Sequence, residues 1–346
     1  MDAAGKLWKG LSLTGKLLAH RPRGWKDYVL NGLSCLAGSG RSLGRPVHVT
    51  IEPATVCNLT CPVCETGAGC LERPGQLMSL DEYKAILGRL PDSVGAMMLY
   101  FMGETFLNPH AYDMIRLARE RGIFVETCTN GDFVDPQCLV DSGIDMVSFQ
   151  MDGASAATHG TYRVGSDFER VVANLRRTVA LRDKQGRRIP RITAGLIVMR
   201  HNVHEIEAFR KKALEEWGVD DVDIVSPCVR TYAQGVEMIP DDDAFWLYDR
   251  KRFEEEHVLR PRWTLPWYGC SWIYFSLTIQ VNGDVVPCCR DPRGKHVLGN
   301  VFRQSVSEIW NSPRMRSLRR NIRQGRRPFL CDLCSGFGVP RVRWRS

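Results

Sequence analysis

Cys57-Asn58-Leu59-Thr60-Cys61-Pro62-Val63-Cys64 sets three cysteines at C-x3-C-x2-C spacing, directly after the apolar, β-branched run Val47-His48-Val49-Thr50-Ile51-Glu52. Thiolates this close on one loop can converge on one metal centre. A mononuclear zinc site wants a fourth ligand. A cubane iron–sulfur cluster can be held by three cysteines, leaving one iron open to another ligand. Cysteines packed as small apolar residues are the third reading of the spacing by itself.

Outward from this loop, strands and helices alternate, which favours a parallel sheet with crossover helices. Apolar runs place strands over 47–52, 96–102, 123–129, 145–151, 192–199 and 219–225. Helices are expected from Ser79, with Asp81 and Glu82 behind it, to about Leu90, and over 109–121, 136–141, 168–183 and 204–217. Six such units make an α/β fold, a partial (β/α)6 parallel barrel. In such barrels function sits at the C-terminal ends of the strands, where the cysteine loop lies. A connector over 227–268 follows, with a helix expected from the acidic start Pro240-Asp241-Asp242-Asp243 to about Leu259.

Cys270 opens a second pattern. The run from Ser276 to Val286, broken by Asn282-Gly283, reads as a β-hairpin ending at Pro287-Cys288-Cys289. A helix over roughly 305–320 and the knuckle Cys331-Asp332-Leu333-Cys334 come next. Cys270, Cys288, Cys331 and Cys334 suit a structural zinc or a fully ligated iron–sulfur cluster, and ligand count does not separate the two. The organisation is thus a basic leader (1–46), the barrel (47–226), the connector, a small hairpin/helix domain (269–336) and a basic tail (337–346).

The net charge of +8 is concentrated at the two ends: residues 1–50 hold eight Lys/Arg against two acids, and residues 311–346 hold ten Arg against one acid. No nucleic-acid-binding motif accompanies it, so no nucleic-acid partner is expected. A solvated surface is the reading, with an anionic substrate, an acidic electron donor or a membrane surface as alternatives. No apolar run has the length of a membrane span, and the N-terminus does not read as a signal peptide. Thirteen cysteines without such a signal argue for reduced thiols and metal ligation in the cytoplasm. Leu7, Trp8, Leu11, Leu13, Leu17 and Leu18 suggest a short amphipathic helix that packs on the main domain, with a membrane interface as its alternative. A turn-rich stretch over 37–44 follows it. Cys35, Cys128 and Cys138 read as core residues and Cys70 as a spare thiol; Arg163 reads as a solvated loop arginine, with bidentate carboxylate binding as the other possibility.

The cysteine loop after a barrel strand, followed by polar residues at successive strand ends, resembles the radical S-adenosylmethionine (radical SAM) superfamily. Met102-Gly103-Glu104-Thr105 resembles its Gly-Gly-Glu motif with Met at the first position; Thr129-Asn130-Gly131, Ser148 with Asp152-Gly153, and Asn202-Val203-His204-Glu205 resemble its later strand endings. Val63 departs from the aromatic residue often found before the third cysteine. The resemblance implies that Cys57, Cys61 and Cys64 hold a [4Fe–4S] cluster whose open iron binds SAM. Gly103 and Glu104 would meet the methionine amino group, and Ser148, Asp152, Asn202 and Glu205 would supply other polar contacts. The C-terminal pattern resembles the short SPASM, or twitch, domain, as in the deoxy-scyllo-inosamine dehydrogenase-like members. It implies one auxiliary [4Fe–4S] cluster on Cys270, Cys288, Cys331 and Cys334, although a full SPASM domain carries more cysteines.

The implied activity is reductive cleavage of SAM to a 5′-deoxyadenosyl radical that abstracts a substrate hydrogen. Oxidation of a sugar-like or polyol small molecule is the leading outcome, with the auxiliary cluster as electron acceptor and a flavodoxin- or ferredoxin-type electron donor as partner. Radical epimerisation, with Cys289 as hydrogen donor, and peptide modification are the alternatives. The non-enzymatic alternative is a zinc- or nucleic-acid-binding protein.

Overall fold

A computed structural model describes residues 24–262 and 270–334. The amphipathic helix expected near the N-terminus and the basic tail lie outside the described residues. The first described element, α1 (Trp25–Leu36), is a helix that the sequence reading left out. It docks through polar side chains: Asp27 bonds Arg45, and Asn31 and Ser34 bond the backbone or side chains of the following turns.

Six β/α units follow. They are β1 (His48–Ile51), α2 (Leu80–Arg89), β2 (Ala96–Met98), α3 (Ala111–Glu120), β3 (Phe124–Thr129), α4 (Pro136–Asp141), β4 (Met146–Gln150), α5 (Ala156–Tyr162), α6 (Phe168–Lys184), β5 (Arg191–Ile197), α7 (Ile206–Lys211) and β6 (Asp221–Val225). Local chemistry sets the starts of the helices. Ser79 and Glu82 form a reciprocal capping box on α2, Asp135 with Pro136 begins α4, and Asp167 caps α6. The helix expected over 204–217 is instead a tight turn, α7 and one wide turn over Lys212–Glu216.

Beyond the barrel come α8 (Tyr232–Met238) and α9 (Arg250–Glu256). The single helix expected over 240–259 does not form. Asp242 caps one short turn, Asp243–Phe245, and the chain then runs extended at Trp246, whose indole N–H donates to the Pro240 carbonyl. Asp249 caps a fresh start for α9. The last part holds α10 (Trp272–Phe275), β7 (Ser276–Ile279), β8 (Asp284–Val286), β9 (Gly299–Asn300), α11 (Val306–Trp310) and α12 (Pro313–Arg323). The helix expected over 305–320 is split because Ser312 caps a new helix with Pro313 in its first turn, where the missing N–H costs nothing.

The sheet has nine strands in the order β6-β5-β4-β3-β2-β1-β7-β8-β9. β1 to β6 run parallel, and β7 pairs parallel with β1, placing Thr50 opposite Thr278. The sheet does not close. The C-terminal hairpin continues it beyond β1, which the sequence reading, treating the hairpin as a separate small domain, did not anticipate. Alternation along the strands divides two environments. Val49, Met97, Val125, Val147, Phe149, Ala194 and Leu196 pack under the helices in one core. Thr50, Met98, Glu126, Cys128, Ser148, Gln150 and Thr193 are the alternate residues and face the barrel interior. Among the described residues no helix is long and apolar enough to cross a membrane.

Candidate functional site

The C-x3-C-x2-C loop leaves the C-terminal end of β1. Cys57, Cys61 and Cys64 carry free thiols and lie close enough for each to raise the cost of ionising Cys57. Burial pushes the Cys57 thiol up to about 11, and the Leu59 backbone N–H, 3.4 Å from its sulfur, opposes that shift. The loop coils tightly: a Cβ on Gly67 would stand 2.5 Å from the Cys61 nitrogen and 2.7 Å from its carbonyl oxygen. Leu59, Tyr162, Met199 and Val63 pack an apolar wall around the cysteines.

The end of β2 leads to Gly103-Glu104. Gly103 has φ +70°, and a Cβ there would meet the Ala54 and Val56 carbonyl oxygens at 2.6 Å, so this turn against the cysteine strand needs glycine. Glu104 is buried. Its carboxylate accepts from the Thr129 hydroxyl at 2.8 Å, from the Asn130 N–H at 2.8 Å and from the Phe106 N–H at 3.1 Å. Burial raises its pKa against these bonds. Asn130, at the end of β3, also donates to the Asn58 side chain at 2.8 Å, tying the strand end to the cysteine loop.

Ser148, inside the barrel on β4, accepts from Gln150 at 2.8 Å. Asp152 is fully buried at φ +53°. One of its oxygens accepts from the Ile197 N–H at 2.7 Å and the other from the Arg163 guanidinium at 2.6 Å. Arg163 is therefore not a solvated loop arginine. It is held between Asp152 and Cys61, whose thiol it stabilises as thiolate against burial. Asn202 is held by the backbone around Asp152. It is fully buried, its amide N–H groups donate to the Asp152 and Ile197 carbonyls at 2.9 Å, and its oxygen accepts from the Met199 N–H at 2.7 Å. Glu205 likewise accepts from the Ala154 N–H and the Thr158 hydroxyl, at 2.8 and 2.6 Å, and so fixes the start of α5.

The second constellation gathers Cys270 before α10, Cys288 beyond β8 and the knuckle Cys331–Cys334. Burial pushes Cys270 up to about 12 and Cys331 up to about 11, with Cys334 adding to both. Cys288 donates to Cys289, which is pulled down to about 6 by that bond and by Arg290 and Arg230. Cys289 keeps exposed surface beside Cys288. Tyr100, Cys128 and Arg290 share its surroundings.

Residues 51–213 match a family model described as the radical SAM superfamily, and residues 270–335 match an iron–sulfur cluster-binding SPASM model. The chain belongs to the radical SAM superfamily and carries a SPASM domain. It is 30% identical over 115 residues to an AdoMet-dependent heme synthase of Nitratidesulfovibrio vulgaris, covering 32% of this chain and 31% of that protein. It is 35% identical over 63 residues to an S-adenosyl-L-methionine-dependent 2-deoxy-scyllo-inosamine dehydrogenase of Niallia circulans, covering 18% of this chain and 25% of that one. These matches span about a third or less of each relative's length. The crystal structure of Streptococcus suis SuiB bound to S-adenosylmethionine has a TM-score of 0.60 at 15% identity, covering 83% of this chain and 70% of SuiB, and shows the same fold.

A radical SAM domain binds a [4Fe–4S] cluster and SAM, and a SPASM domain binds auxiliary clusters. The residues present fit both groups. The first loop offers three thiols within eight residues of chain. Three thiols without a fourth are the donor set of a cubane with an open iron. The second set offers four thiols. Sequence reasoning missed Cys228, beyond β6, although it lines a cavity of about 170 Å³ with Val63, Tyr162 and Met199. Nothing in the spacing of Ser226-Pro227-Cys228 signals that position, which depends on how β6 ends.

Proposed function

We propose that this radical SAM enzyme oxidises a small sugar-like or polyol substrate. The observation that carries the reading is that Arg230 joins the two cysteine segments: it pairs with Glu65, the residue after Cys64, and its charge acts on Cys289, the residue after Cys288. A single substrate bound between the two segments would adjoin both. Cys57, Cys61 and Cys64 are the proposed ligands of the SAM-binding cluster, and Cys270, Cys288, Cys331 and Cys334 those of the auxiliary cluster. When bound, the first cluster with SAM supplies the 5′-deoxyadenosyl radical, and the second supplies a one-electron acceptor.

The protein's own part is positioning. Glu104, anchored by Thr129 and Asn130, would receive the SAM amino group, with Gly103 letting the turn approach the β1 end. Arg163 would neutralise charge beside Cys61 while Asp152 holds it in place. Ser148 offers a hydroxyl from the interior face of β4. Asn202 and Glu205 would act by fixing the backbone around Asp152 and α5. The apolar wall of Leu59, Tyr162 and Met199 excludes water from the cysteine loop. The test is anaerobic incubation with SAM, a reductant and a panel of sugars and polyols. 5′-Deoxyadenosine formed in step with a ketone supports the proposal, and SAM cleavage that no sugar or polyol stimulates refutes the substrate class. Glu104→Gln presents an amide where three donors converge. It is expected to weaken SAM binding about tenfold or more with iron content unchanged, as measured by equilibrium dialysis.

Cys289 favours a second reading. Its thiol is exposed beside the auxiliary cysteines, and a hydrogen atom donated from it would convert a substrate radical to an epimer. For an oxidase, Cys289→Ala retains turnover and product. For an epimerase, the variant still cleaves SAM but loses the inverted product, which chiral analysis of the product resolves.

A further inference from the structure

A cleft of about 520 Å³ opens beside the auxiliary cysteines, within the range of roughly 300–1,000 Å³ typical of small-molecule sites. At one end it reaches Glu65, the residue after Cys64; at the other it reaches Leu330, Asp332 and Leu333, around Cys331. A molecule seated there touches both cysteine segments. Tyr232, Val258 and Phe329 give the cleft apolar surface.

Its charge is unevenly balanced. Arg230 pairs with Glu65, and Arg293 and Lys295 both pair with Glu72. Asp291 accepts the backbone N–H groups of Lys295 and His296, each at 2.8 Å. Asp332 is exposed. Arg260 and Arg290 also line the cleft, and among the described residues neither is paired with a carboxylate. The Arg290 guanidinium lies near the Cys228, Cys289 and Cys334 thiols and the Tyr248 hydroxyl. Two arginines without a carboxylate, lining one cleft, form a site for an anion, and a guanidinium binds phosphate and carboxylate alike through paired N–H donors.

We propose that this cleft binds an acid group of the substrate, a phosphate monoester or a carboxylate on a small polar molecule, with Arg260 and Arg290 as the recognising residues. The proposal rests on the small-molecule reading above and narrows it to acidic sugars or polyols. The acid end would lie in the cleft and the reacting carbon toward the barrel.

Binding tests this apart from turnover. Isothermal titration calorimetry on the anaerobically reconstituted protein would use glucose 6-phosphate, glucuronate and neutral glucose. At least one acid is expected to bind about tenfold or more tightly than glucose, and Arg260→Gln and Arg290→Gln are each expected to weaken that acid about tenfold. Arg260 is exposed and does not adjoin the thiols, so its variant keeps the test valid if Arg290→Gln loses iron. Arg176→Gln, on the outer face of α6, leaves the affinity unchanged. Preference for glucose 6-phosphate identifies phosphate, and preference for glucuronate identifies carboxylate. Two acids binding no tighter than glucose, or an affinity that Arg260→Gln does not alter, would overturn the proposal. Acid binding without sugar-dependent SAM cleavage would instead remove the assigned reaction and leave the site standing.

Discussion

Anaerobically reconstituted protein is expected to hold about eight irons, and the Cys57→Ala/Cys61→Ala/Cys64→Ala variant about four, with SAM cleavage lost entirely. The magnitude follows from the two cysteine sets being separate: one leaves the end of β1, the other surrounds α10 and the end of β8. Removing the first loop's thiols takes away no ligand of the second set. Iron and sulfide analysis with SAM-cleavage assays checks both halves. A variant that keeps zinc and no iron would make the C-terminal thiols a structural metal site and remove the electron-acceptor role.

The second large effect concerns stability. Glu52, at the end of β1, is fully buried, and Arg73 binds it through two bonds of 2.7 Å. Arg73 also donates to the Pro292 carbonyl at 2.6 Å, and Glu52 accepts from the Val281 N–H at 3.0 Å. Burial alone would raise the Glu52 carboxyl, and Arg73 opposes that shift. Arg73→Met leaves this carboxylate in the interior without its cation, at a cost of about 3–5 kcal/mol. For a chain of this size that corresponds to a thermal midpoint lower by roughly 4–7 °C. Anaerobic thermal unfolding measures it, and Glu52→Gln/Arg73→Met should recover part of the loss. A midpoint within a degree of the parent would show that the pair contributes little.

Much of the barrel was legible because its strands are apolar runs of ordinary length and its helices begin with strong caps. Ser79 with Glu82 and Asp135 with Pro136 mark their helix starts locally, and the helices begin there. The cysteine spacing was legible for the same reason, since a loop motif is a local feature. What failed depended on distant partners. Arg163 reads as a loop residue until α5 brings it beside Asp152 and Cys61. The backbone partners of Asn202, at Asp152, Ile197 and Met199, are likewise distant or non-local features that its sequence context does not show. The acidic start at 241–243 reads as a long helix, because the hydrogen bond from Trp246 to Pro240 that turns the chain away is not visible in composition.

The pairing of β7 with β1 bears on how the chain folds during synthesis. His48 bonds Ser276 at 2.7 Å across 228 residues of chain. On the ribosome, β1 emerges early with β2 on one flank and an open ladder of N–H and C=O groups on the other. That flank stays bare until the 228 residues that separate His48 from Ser276 have been made, and an unpaired strand edge is a template for pairing with another nascent chain. The order of translation therefore leaves the strand that carries the first cysteine loop waiting for a partner made long after it, so a complete edge at β1 comes only once the SPASM segment has begun to emerge.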